Sequence, residues 1–138
     1  EKCQRLHIPV FHTTGMSWTR LSDSVPFAID NVAADFPQLK IVVSHAVWPW
    51  VTQAIWTIMT KKNVYLLPDM YMFNHPCWQD YATAITNPLM NENMLYGSAY
   101  PFGGLKEGIR YSLDNYNFQD EQTKENYFYL NAKNVLDI

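Results

Sequence analysis

The sequence predicts an α/β fold built from four parallel βα units, equivalent to about half of an eight-stranded (β/α)₈ barrel. Short apolar segments begin near residues 8, 40, 63 and 93, and an amphipathic segment follows each of them. This spacing leaves room in each unit for one strand, one loop and one crossover helix, the repeating pattern of a parallel sheet. The apolar segments are continuous rather than alternating, as expected for strands that are covered on both faces.

Four segments are predicted as strands because β-branched and other apolar residues are concentrated in them: 8–12, 40–44, 63–67 and 93–97. The first is ended by the turn-forming sequence Thr13-Thr14-Gly15, and the third is ended by Pro68. All four lie in the same direction if helices connect them, so their carboxyl ends meet at one edge of the sheet.

The segments between the strands have helical periodicity. Ser24 is the predicted N-cap of the first helix, Pro26 lies in its first turn, and Pro37 ends it. Its apolar face is formed by Val25, Ile29, Val32, Ala33 and Phe36. Further helices are predicted at about 49–63, 78–87, 105–113 and 121–134.

Composition argues against several classes of protein. The net charge of −3 gives no indication of a nucleic-acid partner or of an anionic membrane surface. No apolar run approaches the roughly 20 residues of a membrane-spanning helix, and the first seven residues are too polar for a signal peptide. Cys3 and Cys77 are predicted to be free thiols in a reducing compartment, so a cytoplasmic protein is expected. Residues 1–6 look like the end of a helix, from which we expect a preceding N-terminal part.

Polar residues follow the predicted strands where a barrel would hold its chemistry. His12, His45 and the segment 98–100 lie at carboxyl ends of strands, which form the active-site rim in parallel α/β folds. A doubly wound nucleotide-binding domain would require a glycine-rich first loop, and Thr13-Thr14-Gly15 is not one. The half-barrel is therefore favoured.

Aromatic residues make up 15% of the chain, and several of them are predicted in the loops after the second and third strands. These are Trp48, Trp50, Tyr71, Phe73 and Trp78. They could form the apolar wall of a substrate pocket. Alternatively, they could pack beneath long loops or form a subunit interface.

Five stretches of the chain, in this order and spacing, resemble the amidohydrolase-related family: 8–15, 35–45, 63–65, 96–102 and 131–136. That branch of the amidohydrolase superfamily includes aminocarboxymuconate-semialdehyde decarboxylase and γ-resorcylate decarboxylase. The resemblance implies that residues 1–138 are a single domain, the C-terminal half of a TIM barrel, containing its strands five to eight.

The resemblance also implies a divalent metal, usually zinc, together with particular site residues. His12 matches the family's fifth-strand metal ligand. His45 matches the sixth-strand histidine, which orients or protonates the substrate and could bind the metal if it turned inward. The family's His-x-His pair on the first strand has no counterpart, and Ala99 occupies the position of the eighth-strand aspartate ligand. Asp69 is the nearest substitute carboxylate, one strand too early. Because a catalytic zinc site typically uses three protein ligands, metal binding is expected to be weak or absent.

Three hypotheses follow. The chain could be the C-terminal part of a metal-dependent hydrolase or decarboxylase acting on a small carboxylated or amide-bearing molecule, with His12 and His45 at the metal and His45 and Asp69 as catalytic groups. It could be a catalytically inactive relative that serves as a binding or structural subunit. It could also be a truncated chain that forms a homo-oligomer or associates with the missing half-barrel. The first hypothesis expects both imidazoles to face one cavity.

Overall fold

The centre of the molecule is a parallel sheet. The structure, a computed structural model, describes residues 1–15 and 20–138. Strands β1 (Val10–Thr13), β2 (Ile41–Ser44) and β3 (Val64–Leu67) lie side by side in the order β1-β2-β3. All pairs are parallel. The predicted α/β fold of parallel βα units is thus confirmed.

The fourth predicted strand makes only one bridge to the sheet. Met94 forms an isolated parallel bridge with Leu66, and the N–H of Leu95 donates to the Leu66 carbonyl over 2.8 Å. The next N–H, that of Tyr96, donates instead to the carbonyl of Tyr127 in the C-terminal helix. The segment 93–97 therefore follows the sheet in direction but leaves it after one residue pair.

Among the described residues, seven α-helices surround the sheet, most of them close to the predicted ranges. They are α1 (Lys2–Arg5), α2 (Phe27–Asp35), α3 (Val51–Thr60), α4 (Trp78–Thr86), α5 (Leu105–Asn115), α6 (Glu121–Glu125) and α7 (Asn131–Leu136). A π-helical segment, Asn126–Leu130, joins α6 to α7, so the predicted helix over 121–134 is one continuous helix with a wide turn inside it. None of the helices in the described parts of the chain is long and apolar enough to cross a membrane.

The N-cap predicted at Ser24, for the helix that the structure shows as α2, was wrong. Pro26, rather than Ser24, precedes the first helical residue of α2. The hydroxyl of Ser24 is buried and donates to the carbonyl of Gly15 over 2.9 Å. Ser24 therefore holds the loop after β1 in place, and its side chain is not available to cap a helix.

The two faces of the sheet pack against different helices. Side chains alternate along a strand, and Ile41, Val43, Val64 and Leu66 pack into the main core with residues of α2, α3 and α4. On the opposite face, Val42 and Tyr65 pack with Leu95 and with Val135 of α7. Phe11 pairs with Val42 in the register, so it lies on this second face, where its side chain is 54% exposed.

Candidate functional site

Two of the predicted site residues meet where β2 and β3 end. His45 directly follows β2, and Asp69 lies two residues after β3. Nδ1 of His45 is 3.0 Å from Oδ1 and 2.8 Å from Oδ2 of Asp69. The backbone N–H groups of His45 and Met70 donate to the same carboxylate, over 3.3 and 2.6 Å. The structure therefore brings together the two residues that the sequence analysis proposed as catalytic.

This arrangement suits proton transfer by the imidazole. An ionised Asp69 accepts the Nδ1–H of His45, which fixes the tautomer and leaves the lone pair on Nε2. Nε2 can then accept a proton from a reacting group or return it, and the neighbouring carboxylate stabilises the imidazolium that forms. The pair has the donor and acceptor geometry of an oriented general base.

The environment of Asp69 disfavours the ionised form of its carboxyl group. Only 5% of the residue is exposed, and this burial raises the pKa of its carboxyl above the ordinary value. The contacts with His45 and the N–H groups of Met70 and His45 lower the pKa and offset part of the rise. The folded protein therefore holds a proton on Asp69 more tightly than the unfolded chain does.

This pKa shift predicts a pH dependence of stability. As pH falls from the folded pKa of Asp69 towards the ordinary value of about 3.9, the folded state binds more protons than the unfolded state, so the contribution of this group to stability rises. Asp69→Asn removes that contribution. Urea unfolding at pH values between 7 and 4 should therefore show the wild type gaining stability relative to Asp69→Asn as pH falls. Asp35→Asn, at an exposed carboxylate at the end of α2, is the control. A difference that is constant with pH would contradict the prediction.

The backbone around His45 is strained. His45, Ala46 and Val47 have φ values of 64°, 44° and 63°, and Asp69 has a φ of 46°. Positive φ is uncommon for residues other than glycine and is an outlier for a β-branched residue such as Val47. Each such residue costs about 1–3 kcal/mol, and such strain is concentrated at functional sites. The turn that carries His45 must therefore be held by its surroundings.

Hydrogen bonds from Thr14, directly after β1, and from Tyr81 of α4 hold this turn. The hydroxyl of Thr14 donates to the Ser44 carbonyl over 2.7 Å and accepts the N–H of Val47 over 2.9 Å, so it bridges the two sides of His45. The hydroxyl of Tyr81 donates to the Ala46 carbonyl over 3.0 Å. Thr14 and Tyr81 are both buried. Their role was not predicted from the sequence, although a threonine pair before a glycine at a strand end is a signal for such a contact.

Thr14→Val is expected to destabilise the protein by about 1–3 kcal/mol, because it leaves the Val47 N–H without its buried acceptor, whereas the Ser44 carbonyl keeps the backbone N–H of residue 14. Thr14→Ser keeps the hydroxyl and is expected to lose much less. Chemical denaturation measures the stability, and imidazole ¹⁵N chemical shifts report whether His45 keeps its tautomer. Equal stability of the Val and Ser variants would contradict this role of Thr14.

Aromatic rings form one wall beside His45. Tyr71 lies edge-to-face with His45 at 5.8 Å between ring centroids and stacks on Trp48 at 4.9 Å. The ring of His75 contacts the other side of Tyr71 at 5.4 Å. Gly15 has a φ of 98°, and a Cβ atom there would lie 3.1 Å from the Cβ of His45, so the close approach of this loop requires glycine. The rings of Trp48, Tyr71 and His75 are called the aromatic wall below.

The other predicted aromatic residues have different neighbours. Phe73 packs edge-to-face on Tyr111 of α5 at 5.6 Å. Trp78 packs on Tyr111 and Tyr116 and contacts the main core. The predicted aromatic cluster thus divides, with Trp48 and Tyr71 beside His45 and Trp78 used in packing. Trp78 fits the packing interpretation, and the pocket-wall interpretation stays a prediction.

His12 does not share a cavity with His45, so that geometric expectation was wrong. β1 extends through Thr13, and His12 pairs with Val43, a residue of the helix-facing core. The side chain of His12 lines a cavity of about 190 Å³ together with Ala28 and Val32 of α2. Because side chains alternate along a strand, Thr13 is the residue that shares a face with Ser44. The metal-binding role of His12 stays a prediction, and this orientation does not favour it.

The residues of the site do not fit a divalent ion by themselves. The described residues contain no group of three or more His, Cys, Asp and Glu side chains that could hold a metal. Both oxygens of Asp69 already accept hydrogen bonds. Ala99, with a φ of 54°, offers no oxygen from its side chain. Ala99 lies two residues after Gly97, where an added Cβ atom would be 3.6 Å from the Cβ of Asp69. The segment 97–99 therefore borders the site but does not complete a ligand set.

Comparisons with known proteins agree on the fold and on its extent. The family model described as amidohydrolase matches residues 1–138. The chain also superposes with a TM-score of 0.90, at 34% sequence identity, on the crystal structure of an uncharacterized TIM-barrel protein from Bordetella bronchiseptica. The match covers 99% of this chain and 48% of that protein, so the chain spans about half of its length. No protein of curated function matches the chain.

Proposed function

The chain belongs to the amidohydrolase family, and from this premise we propose that it is part of a hydrolase or decarboxylase acting on a small carboxylated or amide-bearing molecule. The observation that carries the proposal is the contact between His45 and Asp69 at the carboxyl ends of neighbouring parallel strands. Barrels of this architecture place their catalytic residues at that edge.

His45 is the proposed acid–base group. In amide hydrolysis, its Nε2 would protonate the nitrogen that leaves. In decarboxylation, it would deliver the proton that replaces CO₂ on carbon. Asp69 keeps the ring in the required tautomer in both reactions. The aromatic wall would shield one side of the reacting group from water. Electrostatic interactions of the reacting group are stronger where water is excluded.

A divalent metal, with zinc as the expected ion, is a separate part of the proposal. The family generally uses divalent metals, and His12 and His45 are the ligands that the sequence predicts. Nδ1 of His45 is engaged by Asp69, which leaves one nitrogen of that ring free. His12 would have to leave its cavity beside α2 to reach the ion. The acid–base role of His45 does not depend on that rearrangement.

Ala99→Asp is expected to raise zinc affinity by at least about tenfold, because it supplies a carboxylate where the chain has none. Aspartate also tolerates the positive φ of this position better than alanine does. Titration against a chromophoric chelator measures the affinity. Ala99→Asn is the matched control, since it shares the backbone preference but has no charge. Equal zinc affinity in all three proteins would contradict this role of position 99.

We also propose that further strands, supplied by a second copy of the chain or by the rest of a barrel, pair with the edge of β1 and enclose the exposed part of the second face of the sheet. Phe11 is 54% exposed on that face, and within the described residues β1 pairs with β2 alone. An unpaired edge and an exposed apolar side chain favour association. Light scattering at several concentrations tests this, with Phe11→Asp as the variant that should remain monomeric. A compact monomer of the unaltered protein would rule out a second copy as the source of these strands.

The test of the proposed reaction is a screen for turnover. The purified protein is incubated, with and without zinc or manganese, with panels of small carboxylic acids and small amides. Release of CO₂ and of amine is measured for each compound. The proposal expects turnover of a member of one panel and its loss in His45→Gln. Turnover that is unchanged in His45→Gln would contradict the role of this residue.

A further inference from the structure

A second cavity lies beside the site, between the loop after β3 and the beginning of α5. Its volume is about 300 Å³, at the lower end of the range for small-molecule sites. The lining side chains include Met70, Phe73 and His75 from the loop and Phe102, Glu107 and Tyr111 from the α5 side. His75 also belongs to the aromatic wall, so the cavity adjoins the site of His45 without including His45 or Asp69.

The walls of this cavity are mainly aromatic. Phe73 and Tyr111 lie edge-to-face, with an interplanar angle of 82°. Phe102 lies at the opening of the cavity and is 86% exposed, so its ring is not buried by packing within the described structure. Gly108 allows α5 to approach closely, since a Cβ atom there would lie 3.1 Å from Cζ of Phe73. Three aromatic rings therefore line an open space that a ligand can enter.

The charge of the lining is negative. Glu107 is the acidic residue, and none of the described residues that line the cavity is Lys or Arg. The carboxylate of Glu107 lies over Gly104, and a side chain at position 104 would overlap this carboxylate. The N-terminus of α5 contributes a partial charge of about +0.5, which is smaller than the charge of the carboxylate. The net charge facing the cavity from these groups is therefore negative.

This combination of groups selects among ligands. Aromatic faces attract cations through their quadrupoles, and the attraction is largest for organic cations, which are weakly hydrated. A metal ion such as Mg²⁺ or Ca²⁺ would need several oxygen ligands, and Glu107 is the carboxylate that the lining offers. An anion would be repelled by the same carboxylate. A compact organic cation satisfies both the rings and the charge.

We propose that this cavity binds a small organic ammonium ion, with Phe73, Phe102 and Tyr111 around the cation and Glu107 as its counter-charge. The inference goes beyond the proposed reaction, because it concerns binding and would hold even if His45 had no catalytic role. A bound cation would lie next to His75 and, through it, next to the aromatic wall.

The test compares two molecules of the same shape. Choline carries a quaternary ammonium group, and 3,3-dimethylbutan-1-ol is its neutral counterpart. Isothermal titration calorimetry at constant ionic strength measures the binding of each to the purified protein. Choline is expected to bind about fivefold more tightly than the alcohol, as a cation–π contact at an exposed site implies. Equal affinities, or no choline binding at tens of millimolar, would overturn the proposal.

Two variants locate the site. Glu107→Gln should weaken choline binding by about fivefold and leave the affinity for the alcohol unchanged, because only the charge is lost. Tyr111→Leu should weaken choline more than the alcohol. Glu121→Gln, at an exposed carboxylate of α6, is the control and should bind choline as the wild type does. Because Glu107 is exposed, its variant should fold. Choline binding that is equal in Glu107→Gln and the wild type would place the ligand elsewhere and overturn the proposal.

Discussion

Replacing His45 by glutamine should lower kcat/KM for the substrate by about 10²–10⁴-fold, the usual contribution of a general acid or base. Glutamine is similar in length and can keep a hydrogen bond to Asp69, but its amide does not take up or release a proton near neutral pH. The loss should fall mainly on kcat, because the proton moves in the transition state and not in substrate binding. The contact between Nδ1 and the Asp69 carboxylate is the structural basis of this expectation.

Steady-state kinetics with the substrate found by screening measure this effect. Circular dichroism and urea unfolding establish that His45→Gln is folded. His7→Gln is the control, because His7 is exposed between α1 and β1, on the amino-terminal side of β1, whereas His45 follows the carboxyl end of β2. A loss of activity that is equal in both variants, or no loss in either, would rule out the proposed role of His45.

Asp69→Asn should lower kcat by about 10²–10⁴-fold with little change in KM, as the loss of an orienting carboxylate does in other acid–base pairs. The asparagine amide would donate to Nδ1, which moves the ring proton to Nε2 and leaves no lone pair facing the substrate. The variant also removes the charge that stabilises the imidazolium. Burial raises the pKa of Asp69, so the folded protein favours the protonated carboxyl, and perturbed carboxyl groups of this kind are concentrated at functional sites.

The double variant of His45→Gln and Asp69→Asn separates a shared role from two independent ones. If Asp69 acts through His45, the double variant should be no slower than the slower single variant, because residues that act as a unit are not additive. Imidazole ¹⁵N shifts should also change in Asp69→Asn and stay unchanged in Asp35→Asn. Multiplicative losses in the double variant, with an unchanged tautomer, would contradict the positioning role.

The sequence predicted most of the secondary structure because the signals were local. The β-branched run at 41–44 and the prolines at 37 and 68 define β2, the end of α2 and the end of β3 through backbone preferences of adjacent residues. The segment 93–97 was less predictable. The N–H groups of Leu95 and Tyr96 donate to Leu66 and Tyr127 respectively. These partners are distant in the chain, so the local sequence of the segment does not predict them.

What the sequence by itself determined is the α/β scaffold, the membership of the amidohydrolase family and the edge of the sheet where chemistry would lie. Only the tertiary structure decided which side chains meet there. A shift of one residue in a strand moves a side chain to the other face, so His12 faces α2 although it ends an apolar run. His45 and Asp69 meet because both lie in left-handed backbone conformations, and those conformations are held by contacts such as that of Thr14, 30 residues before Ser44.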